Sequence, residues 1–219
     1  MKLYSGPLSM FGAKTEIAIH EKQLDCDIEH VPFSLRTRYE PKHPDVLRIN
    51  PKAQVPVLID GDVEIFDSTQ IFEYLEHAHP EPSLWPSTPL ARAKARCWEL
   101  QSDEVFFPYV IKLMSLRENR ENSNTNEARV GVTQFYDKIE QRLQQQSCIV
   151  GDLFTYADIA FIMAHYFAVM LGADISDRHS HIDAWRSRII QRPSVSRVLR
   201  PMSDYLDSQK INPPSFIAY

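Results

Sequence analysis

Glycine and cysteine are both scarce in this 219-residue chain, at six and three residues. The glycines stand at positions 6, 12, 61, 131, 151 and 172. No G-x-G-x-x-G turn can be written from them, which argues against a Rossmann dinucleotide site. Gly6 and Gly12 bracket a segment that superficially suggests a phosphate loop. Such a loop needs four residues between its glycines and lysine directly after the second. Here five intervene and Ala13 precedes Lys14, so the backbone cradle and the lysine would both be misplaced. Cys26, Cys97 and Cys148 are odd in number, widely spaced and without a C-x-x-C pair. They read as small hydrophobes in a reducing compartment rather than as a disulfide framework. No apolar run approaches the roughly 18 residues of a membrane span. Lys and Arg number 24 against 29 Asp and Glu, a net charge of −5, which makes general nucleic-acid binding a poor expectation. The basic stretches Arg36, Arg38, Lys42, Arg48 and Arg186, Arg188, Arg192, Arg197, Arg200 read as solvated faces. Met1 leads straight into Lys2-Leu3-Tyr4, a strand pattern and not the apolar core of a secretory leader, so a cytoplasmic location is expected.

Proline, by contrast, occurs fifteen times and punctuates the chain. Residues 1–78 read as an alternating α/β unit in the order β-α-β-loop-β-β-α. Lys2-Leu3-Tyr4 is a short strand, residues 13–23 an amphipathic helix, and residues 28–33 a second strand. Residues 34–50 read as loop. Val55–Ile59 and Val63–Phe66 form a hairpin around Asp60-Gly61-Asp62. Ser68 then caps a helix carrying Ile71, Phe72 and Leu75 on one face. Residues 79–90 hold four prolines and read as a linker. Residues 91–219 read as all-helical. Residues 89–117 predict one long helix bent at Pro108, and residues 119–126 a polar turn. The next helix carries Val132, Phe135, Ile139 and Leu143, and residues 155–171 predict a helix buried at the centre of a bundle. Two more helices are expected near 182–191 and 194–208. Thr155-Tyr156-Ala157-Asp158 has the form of a capping box.

His77-x-His79 and His179-x-His181 invite a metal reading. On a helix, residues two apart point about 200° apart, and neither pair has an evident third ligand, so no metal site is expected. The run Asn50-Pro-Lys-Ala-Gln-Val55-Pro56-Val57-Leu58 is more informative. A proline lacks a ladder donor, so Pro56 should open the strand, and a cis Val55-Pro56 bond would turn the Val55 backbone outward to pair with an extended peptide.

Taken together, N-P-x-x-x-V-P-V-L, Asp67-Ser68, the proline-rich linker, the T-x-A-D box and Trp185…Arg192-Pro193-Ser194 resemble the cytosolic glutathione S-transferase family over essentially the whole chain. The resemblance is to its serine-type members, theta- or zeta-like or a bacterial relative. It implies a thioredoxin-like N-terminal domain followed by an all-α helical domain, with glutathione as co-substrate. It further implies that Val55, beside a cis Pro56, pairs with the cysteinyl part of glutathione. Asp67 and Ser68 would hold the γ-glutamyl end, although the family more often has Glu in place of Asp67. Ser68 opens a helix, where backbone N–H groups favour a carboxylate. Gln54 and Lys52 are candidates for the glycyl end, with His43 a further one.

The same resemblance puts the catalytic group where the first strand meets the first helix. Ser9, five residues before Lys14, would donate a hydrogen bond to the glutathione sulfur and favour its thiolate, aided by the helix N-terminus. Ser5 and Tyr4 are its rivals. An apolar acceptor would bind among Met10 and Phe11 and, from the long helix, Phe106, Tyr109, Val110 and Met114. A homodimer is implied, with no nucleic-acid or membrane partner. The reading is an enzyme of alkyl or aryl transfer in detoxification, with isomerase or dehalogenase variants. The alternative is a non-catalytic member that uses the fold to bind a protein, as relatives of the stringent-starvation regulators do.

Overall fold

Four short strands alternate with helices in the first part of the chain, and their apolar residues explain the order. In the computed structural model, which describes residues 1–115 and 123–217, strands β1 (Lys2–Ser5), β2 (Asp27–His30), β3 (Val57–Asp60) and β4 (Val63–Phe66) form one sheet in the order β2-β1-β3-β4. β1 pairs with β2 in parallel, as a crossover through helix α1 (Met10–Glu21) requires. β3 runs antiparallel to both β1 and β4. Gly61, at φ +58°, supplies the left-handed residue of the β3–β4 turn. Helix α3 (Ser68–Ala78) follows β4, and α1 and α3 contact one another. Tyr4, Val31, Val46 and Val57 form a buried cluster.

Residues 34–50 are not all loop. Pro44–Ile49 forms a short helix, α2, with Pro44 in its first turn and His43 as N-cap. Proline is tolerated there because the first-turn N–H groups have no intrahelical partner anyway. The long helix expected over 89–117 is three segments: α4 (Pro89–Gln101), a wide π turn (Ser102–Phe106) and α5 (Phe107–Ser115). Pro108 lacks an N–H and its ring would meet the carbonyl of Glu104, four residues back, which lies inside the wide turn. Residues 116–122 lie outside the described residues. Ser123–Asn126, expected as turn, open helix α6 (Ser123–Leu143).

Helices α7 (Tyr156–Met170), α8 (Ser180–Ile189) and α9 (Pro193–Ser208) complete the chain. α7 is buried on every face from Tyr156 to Ala168. Phe106 stacks on Phe135 at 4.7 Å and neighbours Tyr136 and Phe161, which makes it the centre of an aromatic core. The chain divides into two units: Met1–Ser83 with Ser194–Gln209, and Leu84–Pro193 with the described chain from Lys210. Among the described residues no helix is long and apolar enough to cross a membrane.

The helical unit buries a histidine with an assignable proton. Tyr136 donates its hydroxyl proton to the Ala173 carbonyl at 2.9 Å, so its oxygen accepts from His165 Nδ1, also at 2.9 Å. His165 Nε2 therefore accepts from Arg186 at 3.3 Å. Burial, with Arg186 beside it, pushes the His165 imidazolium well below its ordinary range. The folded chain thus holds His165 neutral while the unfolded chain protonates it below about pH 6.5. Stability from this residue is complete above that value and is lost as pH falls. Between pH 6.5 and 5 the loss should be about 1–2 kcal/mol, seen as an acid-side fall in denaturation midpoint. His165→Gln should flatten that limb; an unchanged limb would refute the assignment.

Candidate functional site

The sheet register decides which loops can meet. Tyr4 of β1, Val57 of β3 and Phe66 of β4 lie side by side. The chain leaves β1 and β4 at this edge and enters β3 there. Ser9, Val55 and Ser68 are therefore brought to one end of the sheet, in the β1–α1, α2–β3 and β4–α3 connections of one unit.

Ser9 is the N-cap of α1. Its backbone is extended, and its Oγ accepts the Gly12 N–H at 3.0 Å. The Gly6–Ser9 segment is a tight turn closed by Ser9 N–H donating to the Gly6 carbonyl at 3.1 Å. The first turn of α1 carries no acidic residue, so nothing there opposes the positive end of the helix dipole. Lys14 is fully buried within the same helix, its ammonium over the rings of Phe11 and Phe72 at 5.5 and 5.1 Å. Gly12 is required by packing: a Cβ there would strike Ser5 Oγ and stand 3.0 Å from Ser9 Oγ. Two hydroxyls thus face the same glycine at the mouth of the helix.

The rivals of Ser9 have other partners. Ser5 Oγ donates to Glu16 Oε1, and His30 Nε2 lies 2.9 Å from the same oxygen. That hydrogen bond raises the His30 pKa from its ordinary value. Tyr4 donates to Asp45 Oδ2 at 2.6 Å, which raises the pKa of its phenol, and its ring packs on His43 at 4.5 Å. Neither hydroxyl can turn to a thiol without giving up its carboxylate partner, which is buried for Ser5 and half-exposed for Tyr4.

The Val55-Pro56 peptide bond is cis, and no hydrogen bond joins the Val55 backbone to any described residue. Asn50 orders the approach to it: its side chain donates to the Gln54 carbonyl at 2.6 Å and accepts the Lys52 N–H at 2.9 Å. Ala53 takes φ +52° in the same turn. Lys52 and Gln54 are exposed and Pro56 is buried. His43 caps α2 and stands 3.5 Å from Glu29.

Asp67 sits at φ +76°, outside the ordinary region for a residue with a Cβ, and that conformation has a cost of about 1–3 kcal/mol. Its Oδ1 accepts the N–H groups of Thr69 and Gln70 at 3.1 and 3.3 Å, so the residue is the N-cap of α3. The Ser68 amide is not one of the donors it takes up. Ser68 is buried at the first position of the helix.

The residues proposed for an apolar acceptor fall in different surroundings. Met10 is buried and Phe11 half-buried on α1. Phe106 and Val110 have no exposed surface and belong to the interior of the helical unit. Tyr109 is half-buried, and its ring lies on Gly131, where a Cβ would come within 2.6 Å. Met114 is half-buried.

Both histidines of the second H-x-H pair face α6. His179 Nε2 is 2.9 Å from Asp137 and His181 Nδ1 is 2.7 Å from Glu140. Glu140 also accepts the His181 and Ile182 N–H groups and so caps α8. Among the described residues no group of three His, Cys, Asp or Glu could hold a metal ion. Burial pushes the Cys26 thiol up to about 11 and the Cys148 thiol to about 12, and Cys97, against expectation, is exposed. Sequence reasoning passed over Glu16, His30 and Tyr39, which surround the β1–α1 turn. No local pattern points to them, because their contacts with the turn join separate segments of the chain.

Comparison with known proteins agrees with this geometry. Residues 3–83 match the family model of the glutathione S-transferase N-terminal domain, and residues 98–193 that of the C-terminal domain. A glutathione S-transferase of Hyoscyamus muticus is 28% identical over 211 residues, 91% of this chain and 97% of that protein. A stringent starvation protein A homolog of Coxiella burnetii is 27% identical over 180 residues, covering 81% and 80%. The crystal structure of a glutathione S-transferase from the Antarctic clam Laternula elliptica superposes with a TM-score of 0.80 at 25% identity, over 100% of this chain and 94% of that one. With both domain models matched in order across most of its length, and a small mixed sheet followed by helices, the chain belongs to the glutathione S-transferase family.

Proposed function

We propose that the chain is a glutathione transferase of serine type that activates the glutathione thiol with the Ser9 hydroxyl. The observation that carries this reading is the convergence of the Ser9 N-cap, the cis Val55-Pro56 bond and the Asp67-Ser68 helix start at one end of the sheet. The Val55 backbone would pair with the cysteinyl unit as an added strand. Ser68 and the α3 N-terminus would take the γ-glutamyl carboxylate, Asp67 Oδ2 its ammonium, and Lys52, Gln54 and His43 the glycyl end.

Ser9 does not attack the acceptor. A free thiol titrates near 8.5; a hydroxyl donor and a helix N-terminus lower it, so more thiolate is present at neutral pH. The thiol proton leaves to solvent, and the sulfur lone pair forms the new bond to an electrophilic carbon as the acceptor's leaving group departs with its own bonding pair, as chloride does from a chloronitroarene. An apolar acceptor, the domains 1–78 and 91–219 with a linker at 79–90, a homodimer and a cytoplasmic setting belong to the same proposal. Isomerase and dehalogenase chemistry would use the same thiolate.

A second reading is a non-catalytic member that binds a protein. Two observations favour it: the Asp67 carboxylate is engaged in capping α3, and one similar protein is a stringent starvation protein A homolog. Calorimetry with glutathione and turnover of a chloronitroarene separate the two. The enzyme should bind glutathione, and Ser9→Ala should lower kcat/KM by about 10–100-fold and move the acid limb of its pH profile upward. Alanine also removes a helix cap worth about 1 kcal/mol, whereas glycine gives up only a few tenths, so Ser9→Gly isolates the hydroxyl. No binding at millimolar glutathione would leave the non-catalytic reading standing.

A further inference from the structure

The Gly6–Ser9 turn delivers Ser9 to α1, and a residue more than thirty positions away lies on it. A Cβ on Gly6 would stand 2.6 Å from Tyr39 Oη and 2.8 Å from Cζ, closer than real Cβ atoms approach any neighbour. Gly6 does not have a positive φ. What forbids a side chain at position 6 is therefore the Tyr39 ring, not the backbone.

Tyr39 is itself held. Its ring packs on Phe33 at 4.6 Å, and Phe33 meets Tyr205 of α9 edge-on at 5.9 Å. Tyr205 Oη donates to the Phe33 carbonyl at 3.5 Å. The hydroxyl of Tyr39 is buried and faces the Leu8 backbone, with no hydrogen bond of normal geometry to a described residue. Burial raises the phenol well above its ordinary pKa, so it stays neutral. The ionisable groups facing it are Glu16 on α1, Arg38 and Lys42 on its own loop, and Tyr205 on α9.

We propose that Tyr39 is a positioning residue for Ser9: its ring presses the Gly6–Ser9 turn into place and so fixes where the Ser9 hydroxyl stands relative to the α1 N-terminus. The inference rests on the reading of Ser9 as the thiol donor. It assigns the loop between β2 and α2 a part in thiol activation that acts through the Gly6–Ser9 turn. Because the hydroxyl has no regular partner, Tyr39→Phe keeps the ring and orphans nothing.

The test is a set of variants read by kcat, glutathione KM and the pH profile of kcat. Gly6→Ala and Tyr39→Ala attack one contact from its two sides. Each should lower kcat about tenfold, since small misplacements of a reacting group are costly. Each should also raise the apparent pKa of the profile by about half a unit or more, with KM within about threefold. The double variant should be no worse than Tyr39→Ala, because the smaller residue makes room for the new methyl. Ser9→Ala/Tyr39→Ala should equal Ser9→Ala alone, and Tyr39→Phe should keep most of the activity. Additive losses, or a raised KM with an unmoved pH profile, would overturn the proposal while leaving the transferase reading intact. A wild-type chain that binds no glutathione would overturn both.

Discussion

Asp158→Ala should cost about 4–5 kcal/mol of stability, enough to leave the helical unit largely unfolded at moderate temperature. Asp158 has no exposed surface, yet its carboxylate is fully employed. Oδ1 accepts the Ile149 N–H at 2.9 Å and the Trp185 indole N–H at 3.0 Å. Oδ2 accepts the Thr155 N–H at 3.0 Å and the Thr155 hydroxyl at 3.1 Å. Burial pushes this carboxyl above the usual aspartate range, and those donors pull it back. Alanine removes one acceptor group and strands donors from three separate segments. Water cannot reach them, because α7 is enclosed on every side at this point.

The asparagine variant sharpens the claim. An amide oxygen can replace Oδ1 for Ile149 and Trp185. Its NH₂ then faces Thr155, whose hydroxyl can turn to accept but whose N–H cannot. Asp158→Asn should therefore cost roughly half as much, about 2 kcal/mol, with an unchanged denaturant slope. A loss below about 1 kcal/mol for alanine would show that the network is not what holds the start of α7.

That network was legible because it is local. Thr155-x-x-Asp158 is a four-residue pattern read before a long apolar helix, and both halves of the capping box are present. The sheet was legible for the same kind of reason: Ile28–Phe33 alternates in polarity, Val55–Ile59 is a short apolar run, and Asp-Gly-Asp marks the hairpin. The short helix α2 was not, because prolines at 41, 44 and 51 signal loop and His43 is an uncommon cap. Pro108 announced a disturbance but not its form, since a kink and a wide turn answer the same missing N–H equally well. At the candidate site, Ser9, Val55 and Ser68 were named through the family resemblance, and the register of the sheet then places their three loops at one end. Tyr39 does not, because its contact with Gly6 joins segments that no periodicity relates. Phe106 and Val110 show the converse limit. Aromatic and apolar residues at helical spacing look alike whether they line a pocket or fill a core, and only the fold around them separates the two cases.

Lys22→Met should destabilise the first unit by about 3–5 kcal/mol, the range for breaking a buried ion pair from one side. The Lys22 side chain has no exposed surface and Glu76 is 6% exposed, with 2.9 Å between Nζ and Oε2. An ammonium has three protons, and all three are used here. The other two go to the carbonyls of His79 and Pro82 at 2.7 and 2.9 Å. His79 is the C-cap of α3, so the cation also sits at the negative end of that helix. Methionine matches the length of lysine but leaves a buried carboxylate and two carbonyls without their donor. Glu76 would keep the Ser83 hydroxyl on its other oxygen. Lys22→Met/Glu76→Met tests whether the loss lies in the unpaired charge. It should recover about half of the stability, because an apolar pair can replace an ion pair but cannot serve the two carbonyls. Full recovery would assign the whole effect to the carboxylate. No recovery would assign it to the carbonyls at the end of α3, and Lys22 would then act chiefly as a cap that fastens the start of the proline-rich segment to α1.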